Sequence, residues 1–125
     1  MSPAIARLTT IVLDCPEPAK LAAFYAALLG HEVAGAEGDW VQLAGPEPVL
    51  AFQRATDHQP PQWPDGPPQQ VHLDVEVDGY EVAHELVVSM GATPLEPTTP
   101  PSAGEAPGFR VYADPAGHPF CLCLP

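Results

Sequence analysis

His72, Asp74 and Glu76 set an imidazole and two carboxylates at alternate positions in the run Gln70-Val71-His72-Leu73-Asp74-Val75-Glu76-Val77-Asp78. A histidine beside a carboxylate is suited to proton transfer near neutral pH, because the acid raises the imidazole pKa. With Asp14, the same acids would make a cleft anionic and select amines or other cations. Glu76 and Asp14 lie near strand ends, where a solvated rim position is the simpler reading. Cys121 and Cys123 repeat the alternate spacing with thiols. They serve as small apolar fillers, or Cys121 serves as a nucleophile with His72 as its base.

The elements that must position these groups follow from periodicity. Val71, Leu73, Val75 and Val77 alternate with His72, Asp74 and Glu76, which is a strand with one face on a core and the other on something wet. Arg7 to Cys15 reads as an earlier strand, with Ile11 and Leu13 on one face and Thr10, Val12 and Asp14 on the other. Leu21, Phe24, Tyr25, Leu28 and Leu29 fall on one stripe of a helix that Pro18 opens and Gly30 stops. Extended pieces follow at His31–Ala34, Trp40–Leu43 and Val49–Arg54, with turns at Gly35–Gly38 and Gly45–Pro48.

Ala55 to Gln69 holds five prolines and forms a connector. Its Trp63 packs back onto the domain or faces a ligand. Asp78 with Glu81 resembles a capping box for a second helix ending at Gly91, with Val82, Ala83, Leu86, Val87 and Met90 as its apolar stripe. Ala92–Glu96, Gly108–Ala113 and Pro119–Leu124 are the last strands. Pro97–Pro107 is a second loop, and Asp114-Pro115-Ala116-Gly117 suits a type I turn.

Each half therefore runs strand, helix, strand, strand, strand. Setting Leu13 on Val75 aligns Ile11 with Leu73, Thr10 with His72 and Val12 with Asp74, the pattern of a duplication. The expected fold is α+β, with two tandem βαβββ modules forming a cleft. Module one covers 5–54, the connector 55–69 and module two 70–125, within a single domain. The apolar strand faces go under the helices, and the polar faces carrying His72, Asp74 and Thr10 line the cleft. Trp40, Gln42, Phe52 and Tyr112 face either cleft or helix, since a slip of one residue reverses them. His31, His58, His84 and His118 read as solvated.

Composition narrows the partners. Hydrophobic residues at 46% and charged residues at 16% are globular proportions. Four basic residues (Arg7, Lys20, Arg54 and Arg110) against sixteen acidic ones give a net charge of −12 with no basic face, which argues against nucleic acid. No apolar run approaches the ~20 residues of a membrane helix. No signal peptide is expected, and Cys15, Cys121 and Cys123 read as reduced cytosolic thiols.

Val12-Leu13-Asp14-Cys15-Pro16-Glu17-Pro18 leading to Phe24-Tyr25-Ala26-Ala27-Leu28-Leu29-Gly30 resembles the vicinal oxygen chelate superfamily, as do the His72–Asp78 run and Tyr112-Ala113-Asp114-Pro115-Ala116-Gly117-His118-Pro119-Phe120. The resemblance is to its small, single-domain glyoxalase-like or bleomycin-resistance-like branch, with the glyoxalase/bleomycin resistance/dihydroxybiphenyl dioxygenase fold. It implies metal-ligand positions on the first, fourth, fifth and eighth strands. These fall here on Thr10, on Ala51 or Gln53, on His72 and on Cys121. His72 is the one undisputed ligand type, Cys121 could bind zinc as a thiolate, and Gln53 offers only a carbonyl.

The expected function is therefore a cytoplasmic, homodimeric small-molecule binding protein without a complete catalytic metal site, its ligand cationic and held in the cleft. Thr10, Trp40, Gln53, His72, Asp74 and Cys121 are its expected ligand-binding residues. The alternative is a lyase, isomerase or dioxygenase with an altered divalent-metal site, or acid–base chemistry at His72.

Overall fold

A computed structural model describes residues 4–105 and 108–125. The first three residues of the N-terminal segment and the last two of the loop 97–107 lie outside the described residues. The chain divides into two compact units, Met1–His58 and Gln59–Pro125.

In the first unit, β1 (Thr10–Cys15), α1 (Pro18–Leu29), β2 (Glu32–Glu37), β3 (Trp40–Ala44) and β4 (Val49–Arg54) form a helix on a four-stranded sheet of order β1-β4-β3-β2. In the second, β5 (Leu73–Glu76), α2 (Tyr80–Ser89), β6 (Thr93–Glu96), β7 (Phe109–Ala113) and β8 (Pro119–Cys123) repeat that plan in the order β5-β8-β7-β6. β1 runs parallel to β4 and β5 parallel to β8, while the other pairs are antiparallel. The expected α+β fold of two βαβββ modules is what the chain adopts.

Core formation follows the alternation. Leu13 pairs with Phe52 across β1 and β4, and Phe52 with Val41 across β3, so all three share the α1 face. Leu21, Ala22, Phe24 and Tyr25 of α1 are buried against this face, with Tyr25 stacked on Phe52 at 5.7 Å between ring centres. Pro18 occupies the first turn of α1. Gly30 closes the helix at φ +69°, a left-handed cap conformation that costs glycine nothing.

Three expectations are corrected. The predicted turn Gly35–Gly38 is strand up to Glu37 and turns only at Gly38 and Asp39, Gly35 lying at a register shift between β2 and β3. The capping box at Asp78 does not form, because Gly79 is the N-cap and no side chain caps the helix. Lastly, α2 is rotated from its expected face. Val82 and Leu86 are 68% and 57% exposed, while Tyr80 and Val87 are buried and His84 is half-buried.

Polar partners explain the rotation of α2. The Tyr80 hydroxyl donates to the Gly108 carbonyl at 2.6 Å, and His84 Nδ1 lies 2.7 Å from the Tyr112 hydroxyl. Arg110, 2% exposed, donates to both oxygens of Glu105 at 2.7 and 2.8 Å and to the Thr99 carbonyl at 2.9 Å. It also lies 5.9 Å from the centre of the Tyr80 ring. An inward Tyr80 or His84 is favoured only because its polar tip is met. His84 is thus no solvated surface residue, and Arg110 is a buried cation.

Candidate functional site

The same alternation that sends Arg110, Tyr112, Phe120 and Leu122 to the helix side sends Phe109, Val111, Cys121 and Cys123 to the opposite face of the second sheet. Antiparallel pairing sets Phe109 against Cys123 and Val111 against Cys121. Parallel pairing sets Asp74 against Cys121 and Glu76 against Cys123. Four strand positions from two hairpin-joined strands, with Asp74 beside them, thereby build a floor of aromatic, aliphatic, thiol and carboxylate groups.

That floor lines a cavity of about 310 Å³, at the lower end of the range for small-ligand sites. Its wall adds Trp63 and Gln69 from the connector, His72 from the approach to β5, and Pro119. Among the described residues, Gln69 Oε1 is the buried side-chain polar atom without a hydrogen-bond partner.

Asp74 is the hub of the polar end. His72 Nε2 lies 3.4 Å from its Oδ1, and Cys121 Sγ lies within 4.8 Å of the donor atoms of both. Burial pushes the Cys121 thiol up to about 11, and the charge of Asp74 adds to the shift. Cys123 is raised as well, first by burial and then by Asp74 and Glu76. A thiol that burial keeps protonated near neutral pH is a poor nucleophile, so the nucleophilic reading of Cys121 is set aside. The three cysteines form no disulfide.

His72, Asp74 and Cys121 also offer one nitrogen, one oxygen and one sulfur atom, all within 4.8 Å of one another. Such a set fits a borderline ion of the zinc class in kind and number, three protein donors leaving an open position. Binding would require the Cys121 proton to leave, which coordination itself promotes. When bound there, such an ion would supply Lewis-acid polarisation of a ligand oxygen.

The other expected site residues belong to the first unit. Thr10, Trp40 and Gln53 lie on the face of the first sheet opposite α1, where Trp40 pairs with Gln53 and donates through Nε1 to Gln42 Oε1 at 3.3 Å. None of them lines the cavity, whose walls all belong to the second unit. Phe52 and Tyr112, whose register the sequence left open, both face helices. Gln69, Phe109, Val111, Pro119 and Cys123 were missed as lining residues. For Phe109 and Val111 the missing signal was register, since both are two-residue neighbours on a strand whose other face carries Arg110.

Paired βαβββ modules with a polar strand face at β5 and β8 define a glyoxalase-type fold. Residues 10–123 match the glyoxalase-like domain family, so the chain belongs to that family and, with it, to the vicinal oxygen chelate superfamily. A glyoxalase/bleomycin resistance protein/dioxygenase family enzyme from Burkholderia phytofirmans is similar over 95% of this chain and 98% of its own, with a TM-score of 0.71 and 15% identity. A glyoxalase-related enzyme from Fulvimarina pelagi is similar over 97% and 89%, at 0.70 and 18%. A glyoxalase/bleomycin resistance protein/dioxygenase from Nocardioides is similar over 98% and 85%, at 0.65 and 18%. At these identities the likeness is one of fold. No curated protein matches the sequence at a significant level. No helix among the described residues is long and apolar enough to cross a membrane.

Proposed function

We propose that this chain is a cytoplasmic small-molecule binding protein of the glyoxalase/bleomycin-resistance type, acting as a homodimer, with its ligand in the cavity of the second unit. The observation that carries the reading is the pairing of an apolar and aromatic wall (Trp63, Phe109, Val111) with the Asp74 carboxylate at one end. That combination favours a small amphipathic ammonium, its flat body against the rings and its charged head at Asp74. The net charge of −12 supports approach of such a cation. His72 is then a ligand-contacting residue that orients Asp74.

The test is a titration of tryptophan fluorescence with benzylammonium chloride against benzyl alcohol, its neutral counterpart. Saturable binding of the ammonium alone supports the reading, and equal or absent responses refute it. A second reading, a metal-dependent lyase, isomerase or dioxygenase, is favoured by the convergence of His72, Asp74 and Cys121. Metal analysis of protein purified without chelators separates the two. Stoichiometric zinc, iron, nickel or manganese that disappears in His72→Ala would replace binding alone with the enzyme reading.

A further inference from the structure

Two of the cavity walls, Trp63 and Gln69, come from an irregular segment with no sheet register to hold it, so something else must fix where they stand. Within the segment, the Gln62 amide donates to the Pro67 carbonyl at 2.8 Å and closes a loop that carries Trp63. Outside it, the turn between β7 and β8 supplies the seat. Asp114, 3% exposed, accepts from the Ala116 and His118 amides at 2.8 and 3.0 Å, and the Gly117 amide donates to the Asp114 carbonyl at 2.8 Å. Gly117 stands there at φ +92°, and a Cβ at this position would lie 2.3 Å from Pro60 Cβ. No two non-bonded carbons come that close, so the strap touches the bare glycine backbone.

We infer that Gly117, outside the cavity, is a positioning residue: its missing side chain seats Pro60 and so sets where the strap holds Trp63 against the ligand. The inference rests on the reading of this cavity as the ligand site. Two features make glycine obligatory, the left-handed backbone and the Pro60 contact, and only the second concerns the strap. The two separate experimentally, because Pro60→Gly removes the clashing carbon while leaving the turn conformation unchanged.

The experiment uses the full chain with Trp40→Phe, so that emission reports Trp63 alone. Gly117→Ala is expected to raise acrylamide quenching of Trp63 about two-fold, as local opening of the strap exposes the indole. Adding Pro60→Gly is expected to return quenching to the value of Pro60→Gly by itself. Gly117→Asn tolerates a left-handed backbone better and repeats the test if the alanine variant folds poorly. Unchanged quenching in both Gly117 variants, or a double variant that stays as exposed as Gly117→Ala, overturns the inference. Benzylammonium titration of the same proteins should weaken and recover in parallel. If quenching responds while benzylammonium never binds even the parent, the seat stands and the ligand reading falls.

Discussion

Tyr112→Phe removes a single oxygen from the polar chain beneath α2. Tyr112 is 1% exposed and stacked on Phe120 at 5.7 Å, and phenylalanine keeps that packing. The Tyr112 hydroxyl lies 2.7 Å from His84 Nδ1, within hydrogen-bond distance. Net loss of one neutral hydrogen bond costs roughly 1 kcal/mol, and leaving a half-buried ring nitrogen without its partner adds a similar amount. A total of about 2 kcal/mol corresponds to a Tm fall of roughly 6–10 °C for a chain of this size. Thermal unfolding by circular dichroism at fixed protein concentration measures it. A shift below about 1 °C would mean that His84 is solvated and α2 sits on the face the hydrophobic pattern implied.

The same chain carries a pH signature. Burial holds the His84 pKa below its ordinary value, with Arg110 acting in the same direction. A depressed histidine contributes stability that is present above about 6.5 and lost as pH falls toward its folded value, because the unfolded chain takes the proton first. His84→Gln should flatten the dependence of the urea midpoint on pH just below 6.5, and an unchanged profile would contradict the burial of the ring.

Glu105 is predicted to act in a lower window. Its hydrogen bonds to Arg110 hold its carboxyl below the usual range, so its contribution is full above about 4.5 and lost as pH falls further; Glu105→Gln should remove that acid-side slope in urea titrations. Phe52→Ala opens a hole beneath Tyr25 in a fully buried position and should cost about 3–5 kcal/mol by chemical denaturation. Native protein should hold Cys15 and Cys121 unreactive toward a disulfide reagent at pH 8 while denatured protein titrates all three thiols. Fast reaction of Cys121 in the native state would restore its nucleophilic reading.

The fold was legible because its signal is local and periodic. The alternation around Leu13 and Val75, the stripe of α1, and glycine stops at Gly30 and Gly91 each require only near neighbours in sequence. The faces of β1 and β5 were read correctly for the same reason. What failed needed a partner distant in sequence. Val82 and Leu86 look like core residues until Gly108 and Tyr112 are known to wait beneath α2 for Tyr80 and His84. Gly35 looks like a turn because a register shift and a hairpin both use glycine.

The candidate site divides along the same line. His72, Asp74 and Cys121 came from strand alternation and from family positions; the parallel register of β5 and β8 sets Asp74 against Cys121, and His72 joins them from just ahead of β5. Phe109 and Val111 required the register of β7, which the sequence does not print. Trp63 and Gln69 required the path of a proline-rich strap, whose approach to the distant Gly117 at Pro60 leaves no periodic signal in the sequence.

In the proposed function, the cavity of the second unit recognises a cationic small molecule through Asp74. Thermal shift of wild type and Asp74→Asn with benzylammonium chloride tests it most directly, since a ligand at 100 times its Kd adds about 2.7 kcal/mol to apparent stability. The expected result is a concentration-dependent rise in Tm for the wild type that Asp74→Asn largely abolishes. A wild-type protein that does not respond, or a variant that responds equally, would contradict it.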